Sequence, residues 1–482
     1  MTGALSTRGD AAERSGGGRL GVLLVGAFMP TLDFFVVNVA VPSIRTDLHT
    51  SDGDIQLIVA LYAVSYAALL VFGGRLGDRL GHRRVFVLGL AAFTLASALC
   101  GVAPTVWVLI VARALQGMAA ALLFPQVLAL IQVIYQGPAR AWAMVRYGIV
   151  LGSAMVAGQL LGGSLISLDL FGWSWRWVFL INIPIGLGAL PAALRALPAG
   201  PTRGVRMDWL GVPFCAAVLT FLVFPLTVGR SAGWPVWSFV LLVLAVLLFP
   251  AFAGWEMRLE RRGASPLLPP SLLRAGALRR GLLTVFAFYA GLASFLYVLA
   301  ILLQTGRGLS PIESGLVSCP LAIGFLVASL LGRGWVARWG TRPLLVAMAV
   351  QVVGYLAQAL LVSGDPGRLR LAPFMVLLTL NGLVTGLVMA PLLGMVLADV
   401  GADRAGAASG LLATAQQVAG AIGVTVIGLL FYAGPASATG PAAISHDYVR
   451  GLWFLVATSS VTLGGLFALS RHSSVNPLVR KE

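Results

Sequence analysis

The chain has 482 residues, 59% of them hydrophobic and only 10% charged, with a mean hydropathy of +0.93. A water-soluble domain carries about 25% charged residues, so a soluble globular protein is excluded and a polytopic membrane protein remains. The formal charge of +16 reads as cytoplasmic anchoring of loops, and no nucleic-acid partner is expected.

Residues 1–19 are polar and Gly-rich and read as a disordered cytoplasmic head. The first apolar run, 20–42, ends in "AFMPTLDFFVVNVAVP" (27–42). It is too long, and too polar at its end, for a cleaved signal peptide. Asp33 sits near its middle with no Lys or Arg within ten residues on either side. A charge at such depth costs roughly 2.5–3.5 kcal/mol on insertion scales, so its retention needs a reason. Further apolar runs follow near 55–74, 85–103, 106–134, 143–168, 175–195, 207–228, 236–256, 281–304, 312–335, 342–363, 371–398, 405–433 and 448–470. Each has about the 20 residues that a spanning helix needs, which makes fourteen spans. With the N-terminus inside, 25 of the 33 Lys and Arg fall on the cytoplasmic side, seven fall outside, and Arg113 lies within the membrane. That asymmetry places both termini in the cytoplasm of a cell-membrane protein.

Two stretches match at a spacing of 259 residues. In "GGRLGDRLGHRR" (73–84) and "GRGWVARWGTRP" (332–343), Gly73 meets Gly332, Arg79 meets Arg338, Gly81 meets Gly340 and Arg83 meets Arg342. Each follows the second span of a set of six. The expected fold is therefore all-α: a six-helix bundle over 20–195, a two-helix insert over 207–256, a basic cytoplasmic loop over 257–280, a second six-helix bundle over 281–470, and a cytoplasmic tail over 471–482. Paired six-helix repeats flanking a midplane cavity are a transporter layout, in which one half rocks against the other.

Three cysteines without a CxxC pair, and four histidines near loops or termini, form neither a disulfide framework nor a metal site. No GxxxxGK[ST] loop is present, so the chain holds no ATP-driven motor. No nucleophile–base constellation points to an enzyme. No cofactor is expected.

These stretches resemble the 14-helix drug:proton antiporter family of the major facilitator superfamily. "LDFFVVNVAVP" (32–42) is similar to its first-helix signature, and "GRLGDRLGHRR" (74–84) to the superfamily loop between helices two and three. "RALQGMAAAL" (113–122) is similar to its fourth-helix Arg-x-x-Gln-Gly motif, and "WRWVFLINIPIG" (175–186) to the start of helix six. "LSPIESGLVSCP" (309–320) and "AGAASGLLATAQQVAGAIG" (405–423) resemble signatures of helices ten and thirteen. One motif departs. The fifth-helix antiporter pattern keeps Gly158, Gly162 and Gly163, but Ala154 replaces its first Gly and Gln159 its Pro. The small residues still allow close helix packing, and Gln159 offers an amide to cargo.

The resemblance implies a proton-coupled exporter of hydrophobic or amphiphilic, cationic or neutral, drugs or toxic molecules, in contact with membrane lipid and monomeric. A dedicated exporter of one antibiotic, natural product or lipid is the alternative; a channel or non-transporting receptor is a third. Asp33 reads as the proton carrier and Arg113 as its partner or tuner. The plainer alternatives are a carboxyl that only hydrogen-bonds a neighbouring helix and an arginine that snorkels. Gly74, Asp78, Arg79, Gly81 and Arg83 are expected to form a latch, with Asp78 on a neighbouring helix end stabilising the outward-facing state. Ala337 stands at the matching position of the second half, so this latch is one-sided. Asn38, Tyr62, Tyr66, Gln126, Gln159, Asn182, Tyr289, Tyr297, Gln304, Asn381, Gln416 and Gln417 are candidate cavity-lining residues. Each of them serves equally as interhelical glue.

Overall fold

The computed structural model describes residues 3–198, 207–229, 232–274, 276–364, 369–398, 400–401, 404–431 and 440–472. Within them the chain is helical and contains no strand. In order the helices are α1 (Gly3–Asp47), α2 (Asp52–Leu80), α3 (His82–Gly101), α4 (Val106–Ile134), α5 (Gly137–Leu168), α6 (Trp177–Leu180), α7 (Asn182–Ala196) and α8 (Gly211–Val228). They continue with α9 (Val236–Arg261), α10 (Pro270–Arg274), α11 (Gly276–Ile301), α12 (Pro311–Trp339), α13 (Arg342–Gly364), α14 (Leu371–Val396), α15 (Ala405–Phe431) and α16 (Pro441–His472).

Several helix ends follow from local chemistry. Ser51 and Asp54 make a reciprocal cap at the start of α2, as Ser310 and Glu313 do for α12. Gly81, at φ 92°, turns α2 into α3 without a linker, a conformation that a side chain would strain. Prolines lie inside α4, α7, α8, α9, α12 and α14, which neighbouring helices make tolerable within a membrane. A single π turn, Leu302–Gly306, ends α11.

Among the described residues, thirteen helices are long and apolar enough to cross a membrane, against the fourteen expected. The thirty-two residues of α5 are not among the thirteen; the side chains at 155, 156, 159 and 160 lie outside the described residues. Three details differ from the sequence reading. Helix α1 starts at Gly3, so it runs through the head that was expected to be disordered. The sixth span is two pieces, α6 and α7, joined at Ile181 after a 3₁₀ turn. The basic loop is shorter than expected, because α9 reaches Arg261 and α11 begins at Gly276.

Packing divides the chain into two units: Met1–Pro270 with Val400–Thr414, and Ser271–Asp399 with Ala415–Glu482. In the first, α4 packs on α2 and α3, α5 on α1, and α7 on α3. Val36, Val37, Ala40, Trp175 and Phe179 are central to its core. The inserted pair, α8 and α9, pack on each other, and α8 lies on α2. Val243, Val246, Leu247 and Phe249 on α9 are exposed, the expected state of a lipid-facing helix. In the second unit, α12 packs on α14, and α16 on α11 and α13, around Phe295, Tyr355, Phe374 and Tyr448.

Candidate functional site

Asp33 and Arg113 meet. Asp33 is fully buried on α1, and Arg113, 1% exposed, is on α4. Arg113 Nη1 donates to Asp33 Oδ2. A lone charge here would be untenable; the pair is held because further groups satisfy it. Gln116, one turn beyond Arg113, donates from Nε2 to Asp33 Oδ1 at 2.8 Å, and its Oε1 accepts from Arg113 Nη1 at 2.6 Å. Asn182 on α7 donates to the same Asp33 oxygen at 3.3 Å. Arg113 Nε reaches the Ile58 carbonyl at 3.3 Å. Its guanidinium lies 4.1 Å from the Tyr62 ring centroid and 5.6 Å from that of Phe179, both cation–π distances. Arg113, Gln116 and Asn182 all donate to the Asp33 carboxyl, which suits its acceptor-only ionised form.

Close backbones make this geometry possible. A methyl at Gly117 would lie 2.3 Å from the Tyr62 carbonyl oxygen, so α4 and α2 touch where Arg113 enters. On α5, Gly158 and Gly162 face α1 at Phe35 and Val36, while Gly163 has open space beside it. Gln159 lies in α5, but its side chain is outside the described residues, as is that of Asn38 in α1.

The remaining candidates scatter. Tyr62 and Asn182 belong to the charged network; Tyr62 also donates to the Pro30 carbonyl at 3.1 Å. Tyr66 stacks on Tyr62 at 6.1 Å. Gln126 points elsewhere. Its Nε2 donates to the Gly73 and Leu122 carbonyls and its Oε1 meets His82 Nδ1 at 2.9 Å, so its capacity is used in joining α2, α3 and α4. In the second unit, the Tyr289 hydroxyl, the Gln416 Nε2 and both amide atoms of buried Asn381 have no hydrogen-bond partner. Tyr297 and Gln417 are half-buried, and Gln304 is exposed in the π turn.

Asp78 caps a helix. Its Oδ1 and Oδ2 accept from the Gly406 and Ala407 N–H groups at 3.0 and 3.1 Å, in the first turn of α15, where such donors lack intrahelical acceptors. A methyl at Gly74 would lie 2.2 Å from the Gly406 carbonyl, so Gly74 lets this contact close. Arg75 Nη1 lies 3.4 Å and His82 Nε2 3.6 Å from the carboxylate. Arg79 instead covers Trp209 at 5.5 Å, and Arg83 donates to the Leu194 carbonyl.

Sequence reasoning missed several participants. Gln116 was legible within the quoted Arg-x-x-Gln-Gly motif, three residues from Arg113 and hence on its face. Ser97, which accepts from Gln116 Nε2 at 2.8 Å, and Cys100, 3.5 Å from Gln116 Oε1, had no signal beyond lying on one turn of α3. Asp208 and Glu256 read as span-end acids, yet they are 8% and 1% exposed.

A helical membrane protein with an ion pair locked between its first and fourth spans has the design of a secondary transporter. Comparison with known proteins agrees: residues 23–424 match the model of the Major Facilitator Superfamily, and the chain belongs to that family. It is thus a multi-pass membrane transporter of a non-enzymatic class. It is 37% identical over 446 residues to a "probable actinorhodin transporter" of Streptomyces coelicolor, covering 92% of this chain and 77% of that one. It is 34% identical to a puromycin resistance protein of Streptomyces alboniger, covering 90% and 87%. Among solved structures, the proton:xylose symporter XylE superposes with a TM-score of 0.65 at 12% identity, over 95% of this chain and 96% of that one. At such identity the likeness concerns the fold alone.

Proposed function

We propose that the chain exports hydrophobic or amphiphilic small molecules, cationic ones included, from the cytoplasm in exchange for protons, by alternating access. The observation that carries this reading is the Asp33–Arg113–Gln116–Asn182 network, a satisfied carboxylate at full burial. The names of its relatives, which concern antibiotic export and resistance, support the cargo class. A proton arriving at Asp33 removes the charge that holds Arg113. The guanidinium then keeps Gln116 Oε1 and the Ile58 carbonyl, while α1 is freed from its strongest tie to α4. The Asp33 carboxyl loads its proton outside and gives it up inside, and cargo travels in the opposite sense. Asp78 of α2, capping the start of α15, holds one end of this cycle as a latch, with both termini in the cytoplasm.

The driving force suffices. One charge crossing 100 mV gains about 2.3 kcal/mol, and one pH unit adds about 1.4 kcal/mol. Together they sustain a gradient of several hundredfold per proton for a neutral cargo, whereas exchange for a monovalent cation is electroneutral and draws on the pH difference alone, about tenfold per pH unit.

The test uses protein in liposomes under an imposed pH gradient, with ethidium as a cationic dye. The native chain should accumulate dye on the side opposite to proton release. Asp33→Asn should retain dye binding and lose accumulation. Undiminished accumulation by that variant moves the proton site away from Asp33.

A further inference from the structure

Four acids are buried among the described residues: Asp33, Asp78, Asp208 and Glu256. The last two belong to the insert, and transport as proposed above leaves them without a task. Asp208 precedes α8 and caps it, its Oδ1 accepting from the Leu210 and Gly211 N–H groups at 3.2 and 2.9 Å. Its Oδ2 accepts from Trp255 Nε1 at 2.9 Å. Glu256, near the end of α9, accepts from the Leu268 N–H at 2.7 Å with Oε2, while its buried Oε1 has no hydrogen-bond partner.

That orphaned oxygen faces the other acid. The position of a Cβ on Gly211 is 2.2 Å from Asp208 Oδ2 and 2.9 Å from Glu256 Oε1. The two oxygens are therefore no further apart than those two distances added, and only a glycine fits beside them. The Leu268 N–H bonds Glu256, and Cys215 on α8 and Arg75 on α2 are close enough to act on it electrostatically. Two buried carboxyls this close do not both carry charge cheaply. A proton between them would supply the hydrogen bond that Glu256 Oε1 lacks.

The pair also reaches the latch through a chain of contacts. Leu268 is bound to Glu256. Two residues earlier in the same loop, the Pro266 carbonyl accepts from Arg75 Nη2 at 2.8 Å. Arg75 Nη1 lies against Asp78, which holds the first turn of α15. One guanidinium thus serves both the latch acid and the loop clamped by the insert.

We propose that Asp208 and Glu256 together bind one proton, and that its release draws Arg75 off Asp78, making the inserted helices a proton-sensitive brace on the latch. The inference rests on the latch reading of Asp78. With the proton bound, the pair carries one charge and Arg75 stays shared between Asp78 and the loop. With it lost, the pair carries two charges and Arg75 is pulled toward Glu256. Asp78 is then left buried with its Arg75 contact gone and the His82 ring 3.6 Å away, a costly state for a carboxylate. The brace holds at low cytoplasmic pH and slackens as that pH rises.

Two readouts on the full-length protein test this without a cargo. Infrared difference titration should show a protonated-carboxyl band that persists in Asp33→Asn and is absent from Glu256→Gln and Asp208→Asn. A band unchanged in both of those variants overturns the shared proton. Deuterium exchange at the Gly406 and Ala407 amides, corrected for intrinsic base catalysis, should rise roughly five- to tenfold across the same titration. It should stay flat in Glu256→Gln, whose amide keeps the shape of the acid. A flat native profile while the band titrates overturns the link to the latch. Asp78→Asn should speed exchange at every pH; if it does not, the latch reading itself fails, whatever the infrared titration gives.

Discussion

The two six-helix sets place polar groups at corresponding points and charge them differently. In the first unit α1, α3, α4 and α7 converge on Asp33, Ser97, Arg113, Gln116 and Asn182. In the second, the equivalent helices by order, α11, α13, α14 and α16, enclose a cavity of about 20 Å³ lined by Gln351, Tyr355, Thr385, Thr458 and Thr462 among others. It has room for about one water molecule. Leu292 lines it too, and stands 259 residues after Asp33, the spacing that matches Gly73 with Gly332. Where one unit has an acid and an arginine, the other has a leucine, an amide and hydroxyls. The lesson is a division of labour: the buried ion pair lies in the first unit, and the matching helices of the second enclose an amide and hydroxyls.

The comparison breaks most sharply at Arg113. Arg113→Ala leaves Asp33 buried without its cation, which costs about 3–5 kcal/mol when one partner of a buried pair is removed. Expression and thermal stability should fall steeply, and the double variant Asp33→Asn, Arg113→Ala should regain much of the loss. A smaller but clear effect should come from moving the charge. Leu292→Asp sets an acid among neutral groups and should cost roughly 2.5–3.5 kcal/mol, read as a lowered melting temperature; Leu292→Asn should be markedly milder. Gln351→Leu, which fills the neutral site, should cost no more than about 1–2 kcal/mol and leave pH-driven transport intact. If it abolishes coupling, the neutral site is more than a hydrogen-bonding counterpart.

The smallest effect lies at the end of α1. Asp47 accepts from Trp175 Nε1 at 2.9 Å and Arg176 Nη1 at 2.6 Å, and the Trp175 bond, followed by the Arg176 bond, holds its carboxyl below the usual range. A depressed acid stabilises the fold above its unfolded pKa, and that contribution fades as pH falls through the folded value. Because the Asp47 side chain is 47% exposed, solvent screens the effect. Asp47→Asn should therefore lower stability slightly near neutrality, where that contribution is fully present, and flatten the acid limb of the stability profile.

Much of this was legible beforehand, for physical reasons. Long apolar runs declare spans because lipid demands them, and a mid-run acid such as Asp33 declares a partner because its isolation is costly. Arg113 was named, but that it meets Asp33 depends on how α1 and α4 pack, which hydropathy does not encode. Asn182, a candidate for cavity lining or equally for interhelical glue, bonds Asp33. Gln126, read the same way, bonds Gly73 and His82. The amide is the same residue type in both uses, and only the neighbours decide. Asp208 and Glu256 escaped because an acid at a span end is ordinarily solvated. Their burial comes from the packing of α8 on α9 and from the loop that folds back to Glu256.

The most direct measurement of the central idea is proton release on cargo binding. Ethidium is added to the detergent-solubilised protein in weakly buffered solution, and the pH change is converted to protons per dye bound. Started at a pH acid enough to protonate Asp33, the native chain should release roughly one proton per bound dye, as expected when a cation and a protonated acid exclude one another. Asp33→Asn should bind dye and release none. Equal release from both would contradict the account, since the proton that leaves would not be the one on Asp33.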